Sequence, residues 1–190
     1  MGVRVLRCVG GGVTCDRLGA LRGHGDEAWS GVVGQLKRGN GLIPNLVEAV
    51  KGYMGHEKSV LAELTALRGA AVEAARGSAA GGRGVSGAGM APLAAAEQAL
   101  TPGLGRLMLV AENYPDLKAS DNFAYLQSSL SEQEDQLQMA RRYYNGTVRD
   151  YTVLRESFPS LIVASLFKFE PRPFFELDNE AEAAAPGLGL

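Results

Sequence analysis

"DEAWSGVVGQLKRGNGLIPNLVEAVKGY", residues 26–53, decides the fold. Its large apolar residues return at sevenfold spacing: Trp29, Leu36, Ile43 and Val50 form one series, Val33 and Val47 a second with Asn40 between them, and Val32, Leu46 and Tyr53 a third. Residues recurring in this phase lie on one face of a helix, and that face needs a second surface to bury it. Three series side by side suit a helical bundle rather than a two-stranded coil. The same stretch holds Gly31, Gly34, Gly39, Gly41 and Pro44. Pro44 removes the amide that would bond to the carbonyl of Asn40 and crowds that turn, at a cost of about 3 kcal/mol in a helix interior. Each glycine adds up to roughly 1 kcal/mol relative to alanine. The expectation is a helix from about residue 26, kinked or broken near residues 39–43. It resumes in phase at Pro44 and continues through Leu61, Leu64 and Ala71 to about Arg76.

Outward from this stretch the phase recurs. Phe123, Leu130, Leu137, Tyr144, Tyr151 and Phe158 stand seven apart, which predicts a helix over 121–157, capped by the Ser120 side chain, favoured by Asp121 in its first turn and ended by Pro159. A shorter helix is predicted from Pro92, tolerated in a first turn, through Leu93, Leu100, Leu107 and Ala111 to about residue 113, with a bend at Thr101, Pro102 and Gly103. "ENYPDLKAS" (112–120) reads as a tight connection, because the residue before Pro115 is pushed out of the helical region. Residues 77–91, centred on "GSAAGGRGVSGAG", read as a flexible glycine-rich linker. The tail 178–190 reads as disordered, and residues 1–25 as an irregular segment. "SLIVASLFKF" (160–169) is apolar and amphipathic; it either lies on a membrane surface or folds back over the open end of the bundle, and the second is the expected arrangement.

Composition narrows the function classes. The chain has 190 residues, 46% of them hydrophobic, enough for one domain with a sizeable core. A net charge of -2 supplies no field that would draw in nucleic acid or an acidic membrane. Arg4 and Arg7 interrupt the apolar run that a secretory signal would need, and no window approaches the ~20 apolar residues of a spanning helix. Cys8 and Cys15 lack a nearby histidine with zinc spacing and read as free thiols.

The motifs are weak. Gly82, Gly84 and Gly87 spell G-x-G-x-x-G without the strand that a dinucleotide site requires before it. His56 and Glu57 begin H-E-x-x-H, but Val60 stands at the second histidine position. Neither His24 nor His56 follows a glutamate at the spacing of di-iron bundles, and no serine sits in a nucleophile elbow. Asn145-Gly146-Thr147 matches a glycosylation acceptor inside a helical pattern, where a chance match is favoured. "ARRYYN" (140–145) mixes charge with aromatics, yet helical geometry turns Tyr144 into the seam with Arg141 and Arg142 flanking it, against a base-stacking role. Asn40, Glu57 and Arg68 fall on seam positions, where unpartnered burial is costly. They are read either as a snorkelling edge or as a network fixing helix register, joined by the hydroxyls of Tyr144 and Tyr151. No residue is assigned to catalysis, to a cofactor or to a metal.

Together "DEAW", "QLKR", "LIPNLVE", "VKGY" with "HEK", "AENYPDLKA", "ARRYYN", "VRDY", "FPS" and "PRPFFE" resemble, in order and spacing, the LemA family of bacterial proteins over about residues 18–177. The resemblance implies an all-α, antiparallel four-helix bundle of long helices, usually tethered by one N-terminal transmembrane helix, with no established enzymatic activity. The first residues depart from that pattern: either this member is soluble, or its native start lies upstream and supplies the tether. The function expected is a non-catalytic scaffold or interaction protein of the bacterial envelope, the bundle lying on the cytoplasmic side. The alternative is a soluble cytoplasmic adaptor that presents a helical groove to a partner protein. Neither involves nucleic acid.

Overall fold

The computed structural model describes residues 2–54, 57–80 and 87–176. These residues are all-helical: α1 (Gly2–Lys51), α2 (Lys58–Ala80), α3 (Gly87–Ala111), α4 (Pro115–Lys118), α5 (Asp121–Glu156) and α6 (Ser160–Leu166), with no strand among them. The seam read from the sequence is the core. Trp29, Leu36, Ile43, Val50, Leu64 and Ala71 are buried, as are Val33, Val47, Leu61 and Ala75 of the neighbouring series. Their burial, at about 25 cal/mol per Å², drives the assembly of the helices.

Neighbouring helices run in opposite directions. Along α1 and α5, Leu18 packs with Tyr151, Trp29 with Tyr144 and Gln35 with Gln133. Along α2 and α3, Arg106 pairs with Glu63 and Gly103 lies against Leu67. The α1–α2 hairpin brings Arg68 to Asn40.

Several expectations are corrected. There is no break at residues 39–43: α1 passes through Pro44 without interruption, and the chain turns instead at Gly52, Tyr53 and Met54, where Tyr53 and Met54 both donate to the Val50 carbonyl. The physical reason is a replacement donor. The Asn40 carbonyl, deprived of its partner by Pro44, accepts a hydrogen bond from Arg68 Nε of α2 at 2.9 Å, so the proline costs the helix less than it would in isolation. Nor are residues 2–25 irregular; α1 already begins at Gly2, and Leu18, Leu21 and Ala28 supply an inward face that α5 and α6 cover. Residues 77–80 and 87–91, read as linker, belong to α2 and α3; residues 81–86 lie outside the described residues. Helix α3 continues without interruption through Thr101, Pro102 and Gly103. Ser120 stands at the N-cap of α5 but its side chain makes no capping bond. His56, Gly82, Gly84 and the tail 178–190 lie outside the described residues.

The end of α5 holds the largest departure. The helix stops at Glu156, with the Ser157 amide bonded to the Val153 carbonyl, and Phe158, in phase with the seam, is 82% exposed. The chain turns through a cis Phe158–Pro159 bond into α6. Only the small residues of α6, Ser160 and Ala164, are buried; Leu161, Ile162, Leu166 and Phe167 face outward. Folding back therefore takes place, but it covers little of the segment's own apolar surface. After Lys168, which adopts a left-handed φ of 55°, residues 169–176 return as an extended strap along α1 and α5.

Candidate functional site

The backbones of α3 and α5 stand apart, although each helix packs closely on a partner and Tyr144 reaches Met90 Sδ (3.9 Å) at one end. The gap between them, floored by α1, is a cleft of about 390 Å³, within the usual range of ligand and peptide pockets. Leu36 and Ile43 form its floor, Leu100, Leu104 and Met108 one wall, and Leu130 and Leu137 the other. Leu130 and Leu137, in phase with the buried Phe123 and Tyr144, are only half-buried because the cleft opens in front of them.

Two polar groups meet at the floor. Asn40 is 3% exposed and its Nδ2 donates to Glu97 Oε1 at 3.2 Å; its Oδ1 is buried without a hydrogen-bond partner. Burial pushes the Glu97 carboxyl above its ordinary value, and the Asn40 bond offsets part of that rise. Desolvation dominates because a carboxylate facing leucines has lost its water. On the α5 side, Gln133 Nε2 donates to both the Gln35 side chain (2.7 Å) and the Gln35 carbonyl (3.1 Å). The nearby hydroxyl of Thr101 is spent on the Glu97 carbonyl. The cleft thus offers apolar surface and hydrogen-bond acceptors, the features of a binding groove.

A second polar cluster lies at the strap. Arg172, 5% exposed in its side chain, forms an ion pair with Asp26 through Nη2, while its buried Nη1 has no hydrogen-bond partner among the described residues. Gly25 makes room for this guanidinium: a Cβ there would stand 2.7 Å from Nη1. Tyr144 donates to the Pro173 carbonyl (2.9 Å) and Tyr151 to the Glu170 carbonyl (2.8 Å). Burial raises both phenol pKa values, so both hydroxyls remain donors. Asn145 bonds to the backbone of Phe175 in both directions, through Nδ2 (3.1 Å) and Oδ1 (2.9 Å), and Phe175 closes an aromatic cluster with Trp29 at 5.2 Å. Arg141 lies 5.7 Å over the same ring.

The register network read from the sequence is therefore divided. Asn40 and Arg68 meet, but Glu57 stands ahead of α2 outside the pair, and the tyrosine hydroxyls serve the strap. Tyr144 sits in the core as expected, with Arg142 exposed. Glu97 went unrecognised, although the sequence carries a signal: it is the sole ionisable residue between Arg83 and Arg106. Arg172 left no such trace. Among the described residues Cys15 is a free cysteine, no cluster of His, Cys, Asp and Glu could hold a metal, and no helix is long and apolar enough to cross a membrane.

Comparison with known proteins places this architecture. Residues 28–188 match the family model of the LemA family. The magnetosome protein MamQ of Magnetospirillum gryphiswaldense is 27% identical over 154 residues, covering 74% of this chain and 56% of that protein. Magnetosome protein MamQ 2 of Paramagnetospirillum magneticum is 27% identical over 155 residues, covering 74% and 57%. The chain thus spans a little over half the length of these relatives.

Proposed function

Because the chain belongs to the LemA family, we propose that it is a non-catalytic scaffold of the bacterial envelope, a single helical unit that receives a segment of a partner protein in the α3–α5 cleft. One observation carries this reading: the cleft stays open along a wall of half-buried leucines, with the Glu97 carboxyl group at its floor. An incoming helix or extended segment with an apolar face and a hydrogen-bond donor for that group would complete both. The opposed directions of α1 and α5 and of α2 and α3 support reading the four long helices as an antiparallel bundle whose two halves part at this cleft. Membrane association, by a tether at the amino end of α1, is part of the proposal. The same cleft would equally serve an adaptor working away from the membrane, so localisation separates the two readings.

A photo-crosslinking residue at Leu104, read after cell fractionation, tests this. The expected outcome is a discrete cross-linked species in the membrane fraction that disappears when Gly105, beside which a Cβ would meet nothing within 4 Å, is replaced by tryptophan to block the cleft. The same species in the soluble fraction would select the adaptor. Cross-linking that is indifferent to Gly105→Trp would end the cleft reading.

A further inference from the structure

We propose that the α6 tip, Phe158 to Phe167, inserts into the interfacial region of a phospholipid bilayer. This second membrane contact is distinct from the cleft and from any tether at the amino end of the chain.

The starting point is an inverted helix. Burial normally takes the large apolar residues of an amphipathic segment, yet α6 turns Ser160 and Ala164 inward and leaves Phe158 82%, Leu166 75%, Ile162 60% and Phe167 59% exposed. This outward orientation is held by the rest of the molecule. Ala164 and Val163 pack against Leu18 and Tyr151, and the chain leaving α6 is fastened by Arg155 Nε to the Phe169 carbonyl (2.8 Å) and by Tyr151 to the Glu170 carbonyl. The tip cannot roll its large residues under without breaking these bonds.

Three features select a bilayer as the occupant. First, residues 157–167 contain no ionisable side chain, whereas protein interfaces carry about one hydrogen bond per 100–200 Å²; the tip offers hydrocarbon and almost no directional chemistry. Second, much of its backbone enters a low-dielectric phase already paired: the amides of Leu161, Ile162, Phe167 and Phe169 bond to carbonyls of Ser157, Pro159, Val163 and Ala164, and the Ser157 hydroxyl bonds to the Val153 carbonyl. Unpaired backbone is what lipid does not tolerate. Third, the tip is too small for a stable self-interface. Its outward side chains, at roughly 150–250 Å² for a whole aromatic one, present on the order of 600 Å², short of the about 800 Å² that each partner of a standard dimer buries. Lys168, exposed at its border, is placed to meet lipid phosphates, while Glu156, which precedes the tip in the chain, is ion-paired to Arg155. The contacts with Leu18 and Leu21 put the tip alongside the amino-terminal part of α1.

Flotation of the full chain with phosphatidylcholine vesicles, alone and with phosphatidylglycerol added, tests the inference. The chain is expected to float with both, more strongly with the anionic lipid. The variant Ile162→Ser, Leu166→Ser, Phe167→Ser changes only exposed positions and is expected to keep its helicity and melting temperature while its bound fraction falls at least about tenfold. Phe167→Trp is expected to bind and to be quenched by brominated lipid, against the background of Trp29. Four results would overturn the proposal: no flotation of the parent chain; equal flotation of the triple serine variant; an unquenched Trp at position 167 in bound protein; or a parent dimer that the serine variant dissociates.

Discussion

The pairing of α1 with α5 ends in two different ways along its length. Around Trp29 and Tyr144 it is sealed; around Ile43 and Leu130 it is open. The helices are the same, so the difference lies in what covers them, which at the sealed end includes Met90 of α3 beside Tyr144. At the sealed end the strap lays Phe175 on the aromatic pair and offers backbone carbonyls to Tyr144 and Tyr151. In the open stretch no strap arrives, and the polar groups of Asn40, Glu97, Gln35 and Gln133 bond only to one another and to α1 backbone. Closing a helix pair in this molecule therefore depends less on the helices than on a segment that brings unspent backbone acceptors with it.

Substitutions on either side of this contrast should differ in size and in sign. Trp29→Ala removes the centre of the sealed end and is expected to cost about 3–5 kcal/mol in urea unfolding; a loss no larger than that of Leu130→Ala, at the open wall, would erase the distinction. Gly25→Ala drives a methyl into the Arg172 guanidinium and should cost about 1–3 kcal/mol. Adding Arg172→Met should remove most of that extra cost, and full additivity of the two would show that the close approach is not the cause.

In the cleft the effects reverse. Asn40→Leu abolishes a buried oxygen without a partner but also the bond to Glu97, so it is expected to raise stability, by up to about 1 kcal/mol, when combined with Glu97→Leu, with the helices still in register because Arg68 bonds to the backbone of position 40. A loss of unique packing, seen as collapsed amide dispersion, would instead assign register to the side chain. The smallest effect concerns pH. Burial raises the Glu97 pKa in the folded chain, so its contribution is fully present below the ordinary carboxylate value of 4.5 and is lost as pH rises through the folded value. Glu97→Gln should match the parent in melting temperature at acid pH and exceed it at neutral pH. Parallel curves would mean that Glu97 is not desolvated.

What the sequence disclosed was phase. Trp29, Leu36, Ile43 and Val50 announce their burial by spacing alone, since a helix has one period and water excludes the same face at each turn. Interruption was harder to read. Pro44 and the glycines of α1 carry local costs that any window can register, but the compensating donor comes from Arg68, 28 residues away, and no local reading contains it. Phe158 shows the opposite failure: its spacing is correct, yet the helix that would turn it inward has already ended at Glu156. For the cleft, Glu97 was detectable as an isolated charge in an apolar run, whereas the emptiness beside it belongs to the separation of α3 from α5, a property of neither segment.

The bond from Arg68 to the carbonyl that Pro44 leaves free joins the histories of two positions. A proline at 44 creates a vacancy in the helix ladder, and a long donor at 68 fills it; each is useful chiefly in the presence of the other. Among relatives of this chain the two should therefore be gained and lost as a couple, and a descendant that keeps the proline while shortening residue 68 is where the helix ought to break.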